Sequence, residues 1–188
     1  MTDYGAARDA VAAGATVVQL RLKGVPTSEV IERGAGFSAL PAMFVVNDDV
    51  EAAVALAAAA VHLGDDDPGW ERAVAAGLLV GVSASTPHAA RVAERRGAAY
   101  VGCGPVWSTP SKPDAGAAIG IDGLRSVCGA VSLPVIAIGG IESRNAAACI
   151  TAGAAGVAVL RASREAGDVR AEVDRALAQM AASSGSRR

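Results

Sequence analysis

The apolar run Tyr100-Val101-Gly102-Cys103-Gly104 stops at Pro105, and the loop after it carries Ser108, Thr109, Ser111 and Lys112. Hydroxyls give directional hydrogen bonds and a Lys supplies point charge, a combination suited to gripping a phosphate. An ordinary Pro- and Ser-rich connection has the same composition. Polar sets close the other apolar runs as well. Gln19, Arg21 and Lys23 alternate, so an extended backbone would aim all three to one side. Asn47-Asp48-Asp49 ends the next run, and a helix N-cap accounts for one of these residues but not for three. Asp65-Asp66-Asp67 follows His62-Leu63-Gly64, and adjacent carboxylates repel unless water screens them or a cation neutralises them. A hard cation such as Mg²⁺, held by one or two carboxylates and by substrate phosphate oxygens, would use that set. A solvated acidic turn ahead of a helix also explains it. Ser83 closes a fourth run, Gly139-Gly140 a sixth, and Leu160-Arg161 the last. Paired glycines let a phosphate approach the backbone with a helix N-terminus facing it, although a tight turn needs them too.

These sets need a scaffold that brings strand ends together. Short β-branched runs recur at residues 16–22, 43–46, 60–63, 78–82, 99–103, 134–138 and 156–160, separated by Ala-rich segments of helical length. The runs are continuously apolar, as parallel strands covered on both faces are. Helix starts are marked by Asp49, by Ser85-Thr86-Pro87 and by Glu142-Ser143-Arg144-Asn145, and Gly153 marks a stop. Strand alternating with helix predicts a parallel α/β sheet. No Gly-x-Gly-x-x-Gly turn follows the first run, which removes the usual dinucleotide fingerprint. Polar residues at nearly every strand end favour a (β/α)₈ TIM barrel, whose site is assembled from the βα loops.

Composition sets further bounds. The chain has 188 residues, 52% hydrophobic and 3% aromatic, enough for one core built from Ala, Val, Leu and Ile. We expect a single barrel domain over residues 1–182 and a frayed tail over 183–188. A net charge of -2 without basic or acidic blocks gives no sign of nucleic acid or a membrane as partner. Cys103, Cys128 and Cys149 lack metal-ligand spacing and read as reduced, buried thiols of a cytoplasmic protein. His62, within an apolar run, reads as a satisfied core histidine, and His88 as an exposed residue in a first helical turn. Neither is assigned a catalytic role.

Seven motifs in order, VVQLRLK (17–23), FVVNDDVEAA (44–53), VHLGDDD (61–67), GVSAST (81–86), YVGCGPVWSTPSKPD (100–114), IGIDGL (119–124) and VIAIGGI (135–141), resemble the thiamine-phosphate synthase family. Members of that family are (β/α)₈ barrels that join a hydroxymethylpyrimidine diphosphate to a thiazole phosphate, giving thiamine phosphate and pyrophosphate. The resemblance implies Mg²⁺ as cofactor, held by Asp48 and Asp67. It implies Arg21, Lys23, Asn47 and Lys112 on the diphosphate, and Gln19 and Ser83 at the pyrimidine. Thr109, Ser111 and the backbone at Gly140 would grip the thiazole phosphate, with Leu160 also on the substrate-binding surface. Arg21, Lys23, Lys112 and Ser83 would carry the catalytic roles, with small-molecule substrates as the partners and a homo-oligomer compatible with them.

The chain departs from the family pattern at four places. The family has another strand before its first helix, so we expect the first barrel strand to be largely missing here. An isolated chain of that kind should melt below one extended upstream. The stretch between Arg21 and Asn47 is shorter, by about two helical turns. Asp65 replaces a Gln, and Arg161 replaces a small residue beside the phosphate site. Three alternatives stand beside the synthase: a non-catalytic binder of thiazole or thiamine phosphate, another phosphate-binding barrel isomerase, which explains Gly139-Gly140 but not the Asn47-Asp48 and Asp67 set, and the related thiazole tautomerase, whose catalytic His would align near Ser85. Ser shuttles such a proton poorly at neutral pH, which disfavours the tautomerase.

Overall fold

The computed structural model describes residues 1–64, 68–109, 116–160 and 166–185. Among these residues the strands β1 (Val17–Leu20), β2 (Met43–Asn47), β3 (Ala60–Leu63), β4 (Leu79–Ser83), β5 (Tyr100–Cys103), β6 (Val135–Ile138) and β7 (Gly156–Ala158) form one parallel sheet in sequential order. The helices are α1 (Tyr4–Ala12), α2 (Thr27–Gly34), α3 (Val50–Ala55), α4 (Trp70–Ala75), α5 (Pro87–Arg96), α6 (Gly120–Cys128), α7 (Ser143–Thr151) and α8 (Ala166–Gly185). Each expected apolar run carries a strand, although β1 ends at Leu20 and β7 at Ala158, short of the expected ends.

Register sorts each strand into two faces. Val18, Leu20, Phe44, Val46, Val61, Leu63, Val80, Val82, Val101, Cys103, Val135 and Ala137 are buried between sheet and helices. The alternate residues, among them Gln19, Asn47, His62, Ser83 and Tyr100, face the other way. Parallel pairing sets Asn47 beside His62, His62 beside Gly81, and Gly81 beside Tyr100, which makes one row across four strands. The helix-facing layer is not purely aliphatic as composition suggested. Both phenylalanines, Phe37 and Phe44, are buried against each other with ring centroids 5.2 Å apart, and Trp70 joins them in the core.

The helix starts follow the sequence signals. Asp49 accepts from the Ala52 N–H at 2.9 Å and Thr86 from the Ala89 N–H at 3.1 Å, with Pro87 at the first position of α5. Glu142 and Asn145 form a reciprocal capping box on α7. The shortened stretch before β2 holds the eight-residue α2 and a single 3₁₀ turn, Phe37–Ala39. No described strand precedes α1, yet residue 1 lies along β1: the Met1 nitrogen donates to Gln19 O, and Arg21 N donates to Met1 O at 2.9 Å. Arg170 of α8 donates to Gly14 O at 3.1 Å, joining the helix after β7 to the turn before β1. No described helix is long and apolar enough to cross a membrane.

Candidate active site

All strands run parallel, so their C-terminal ends lie at one rim, and the polar sets of the sequence gather there. Lys23 and Asp48 meet at that rim, with Nζ 2.7 Å from Oδ2. Asp48 holds φ at 65°, a left-handed backbone that Asp tolerates better than most residues. Its N–H donates to His62 O at 2.9 Å, which ties the end of β2 to β3. Asn47 beside it is 8% exposed, and its Nδ2 has no hydrogen-bond partner among the described residues. A buried donor without an acceptor costs roughly 1–3 kcal/mol, so Asn47 is poised for an acceptor from outside the protein. Leu22, Lys23, Asn47, Asp48, Glu51 and Arg72 line one cavity, about 450 Å³ in volume, between the β1 and β2 loops and α4.

On the inner face below this rim runs a chain of polar side chains. His62 Nδ1 is 3.1 Å from the Tyr100 hydroxyl, and Nε2 is 3.1 Å from Ser83 Oγ. The two rings lie 5.6 Å apart. Burial pushes the Tyr100 hydroxyl up to about 12, against a smaller downward pull from Gln19. His62 is thus bonded at both ring nitrogens, as expected of a satisfied histidine, and His88 is exposed on α5.

The loop after β5 is laced onto the turn after β6. Val106 N donates to Ile138 O at 2.9 Å and Trp107 N to Gly139 O at 3.0 Å. Gly139 and Gly140 have φ of 97° and 66°. A Cβ on Gly139 would lie 2.6 Å from Pro105 Cα, and one on Gly140 would lie 2.7 Å from Trp107 Cβ. The glycine pair is therefore required by this close backbone approach, before any ligand is considered. Asn145 Nδ2 donates to Gly140 O at 3.0 Å, so the α7 cap also fixes the turn. Thr109 stands half-buried on the laced loop, and Leu160 is exposed just beyond β7.

Among the expected site residues, Asp67, Ser111 and Lys112 lie outside the described residues, as does Arg161. Of the others, Lys23 meets Asp48 beside Asn47, Ser83 is joined to Tyr100 through His62, Gln19 lies on the same face of the sheet, and Thr109 follows the segment laced onto the Gly139-Gly140 turn. Arg21 is half-buried directly after β1, beyond the strand, so alternation alone does not orient it. Tyr100 was missed by sequence reading, which took it as the first residue of a buried strand. The available signal was Gly81, the small residue on the neighbouring strand that leaves room for its ring. Among the described residues no cluster of three or more His, Cys, Asp or Glu side chains gathers as a metal site. The Asp48 carboxylate at the rim is a hard oxygen donor of the kind Mg²⁺ takes, and that ion needs few protein ligands when phosphate and water complete its shell. The thiols are unpaired, with Cys103 and Cys149 buried and Cys128 half-buried.

A sequence model of thiamine monophosphate synthase matches residues 2–163. The thiamine-phosphate synthase of Moorella thermoacetica is 43% identical over 175 residues, covering 89% of this chain and 83% of that protein. That of Chloroflexus aurantiacus is 44% identical over 168 residues, covering 86% and 78%. The solved thiamine phosphate pyrophosphorylase from Pyrococcus furiosus superposes with a TM-score of 0.84 at 36% identity, covering 92% of this chain and 90% of the other.

Proposed function

This chain belongs to the thiamine monophosphate synthase family, and from that membership we infer that it is a transferase making thiamine phosphate. The pyrimidine diphosphate and the thiazole phosphate are its substrates, and pyrophosphate leaves. The observation that carries the assignment to this rim is the buried Asn47 Nδ2, without a hydrogen-bond partner among the described residues, beside the Lys23–Asp48 pair. An anionic ligand there supplies the missing acceptor for Asn47 and a second partner for Lys23.

In the reaction the C–O bond to the diphosphate breaks, and the leaving oxygen keeps the electron pair. The electron-rich aminopyrimidine stabilises the resulting methylene cation, and the thiazole nitrogen then forms the C–N bond. No protein nucleophile is required in such a displacement. Arg21, Lys23, Asn47 and Lys112 hold the diphosphate and meet the charge that grows on it. Asp48 and Asp67 would hold Mg²⁺, which would supply further neutralisation of the charge on the leaving diphosphate. Gln19 and Ser83 orient the pyrimidine. Thr109, Ser111 and the Gly140 backbone hold the thiazole phosphate, with Leu160 at its edge, so that the nitrogen faces the cation. The same membership supports a closed eight-place barrel with residues 1–3 lying where the first strand runs.

Incubation with both substrates and Mg²⁺ tests this reading. The wild-type chain should release pyrophosphate, and Lys112→Ala should lower the rate by about 100-fold or more, the scale of losing one charged transition-state contact. Stabilisation by thiamine phosphate without turnover would instead favour a binding protein, and neither effect from a folded sample would overturn the assignment.

A further inference from the structure

His62 is clamped between hydroxyls from two other strands. Its Nε2 lies 3.1 Å from Ser83 Oγ on β4, and its Nδ1 lies 3.1 Å from the Tyr100 hydroxyl on β5. These contacts cross the sheet because two positions carry no side chain. A Cβ on Gly81, between His62 and Tyr100 in one row, would overlap Tyr100 Cζ and its hydroxyl. A Cβ on Gly102, which pairs with Ser83, would come within 2.9 Å of His62 Cε1. The imidazole therefore leans from the Gly81 row to the level of Ser83, two residues further along β4.

The clamp does not depend on which ring nitrogen carries the proton. In either neutral tautomer one nitrogen gives and the other takes, and each faces a hydroxyl that can answer. What it does fix is the serine. A free Ser side chain turns among three staggered positions about a single bond. The imidazole is far less mobile: its second nitrogen is engaged by Tyr100, and the two rings lie 5.6 Å apart at 33°. A bond to Nε2 therefore selects the one Ser83 rotamer that points at the ring, and it leaves Oγ with capacity for a further partner. Ser83 is half-buried on the inner face rather than sealed into the core.

We propose that His62 is a positioning residue for the pyrimidine side of the site: braced by Tyr100, it fixes Ser83 Oγ where the aminopyrimidine binds. The substrate part of this proposal rests on the synthase reading above, whereas the bracing of Ser83 by His62 does not. His62 touches no reacting atom in this role and acts through Ser83.

The test compares two replacements of His62. An Asn amide ends near the place of Nδ1 and keeps a partner for Tyr100 without reaching Ser83. A Gln amide ends near the place of Nε2 and can still meet Ser83. In His62→Asn, kcat/KM for the pyrimidine diphosphate should fall about tenfold, the scale of one lost hydrogen bond, while the KM for thiazole phosphate stays within about twofold. His62→Gln should recover most of that loss. His62→Asn combined with Ser83→Ala should be no slower than Ser83→Ala alone, because both act through one hydroxyl. Ring ¹⁵N spectra give a readout independent of turnover, since the chain has two histidines and His88→Gln assigns them. Ser83→Ala should shift the His62 ring signals. Equal losses for both substrates, a His62→Gln variant no better than His62→Asn, additive losses in the double variant, or His62 signals unmoved by Ser83→Ala would overturn the proposal. A wild-type chain that releases no pyrophosphate overturns the functional reading and the substrate part with it, and the ring spectra then still decide the bracing. If the His62 variants fail to fold, the Ser83→Ala spectra decide it.

Discussion

Asp48 combines two roles that its sequence position leaves entangled. Its carboxylate faces Lys23, and its backbone turns the chain through a φ of 65° just after Asn47. Replacing it with Ala would remove the charge and also strain the turn, because Ala enters the left-handed region poorly. Asn keeps the conformation and the polar side chain but loses the charge. Asp48→Asn should therefore melt within a few degrees of wild type and lower pyrophosphate release by about 100-fold or more. A comparable rate at saturating Mg²⁺ would show that the carboxylate is not a metal ligand. The exposure of Lys23 and Asp48 places their pair among those of small worth to stability, so its importance lies with the ligand.

At the scale of elements, α7 connects fold stability to the thiazole side of the site. Asn145 accepts from the Glu142 N–H at 2.9 Å and donates to Gly140 O at 3.0 Å, so one amide caps the helix and pins the glycine turn. Asn145→Ala should cost about 1–2 kcal/mol, the usual range for a lost cap, measured as a shift in the denaturation midpoint. The turn it frees carries the backbone proposed to meet the thiazole phosphate. The KM for that substrate should accordingly rise several-fold more than the KM for the pyrimidine diphosphate. Equal changes in the two would assign Asn145 to stability alone.

Across the whole molecule, burial governs how the fold responds to alkali. Tyr100 is pushed up from its ordinary 10.0 to about 12 by burial. Cys103 rises from 9.0 to about 12, through burial first and neighbouring thiols second, and Cys149 to about 11 for the same reasons. Each native group holds a proton that the unfolded chain releases more readily. Their contribution is intact below about pH 9 and is lost as pH climbs through the folded values toward 12. Urea midpoints should fall between about pH 8 and about pH 10.5, and Tyr100→Phe should remove part of that fall. An unchanged midpoint would mean that these groups ionise in the native protein. The same burial keeps Cys103 and Cys149 mostly as thiols near neutrality, so alkylation of the native protein should reach Cys128 first.

The sequence alone determined the parallel α/β plan. Continuous β-branched runs, Ala-rich separators and the caps at Asp49, Thr86 and Glu142 are local signals, and each strand and these helix starts follow them. It also marked the polar strand ends, because residues such as Asn47-Asp48-Asp49 serve no purpose inside an apolar core. Tertiary structure alone decided which of those ends meet. The Lys23–Asp48 pair, the burial of the Asn47 amide and the lacing of Trp107 onto Gly139 depend on pairing between separate strands, which no local pattern encodes. The clearest case is Tyr100, which in sequence is one more apolar residue. Only the register of β3, β4 and β5, with Gly81 leaving room beside its ring, brings its hydroxyl to His62.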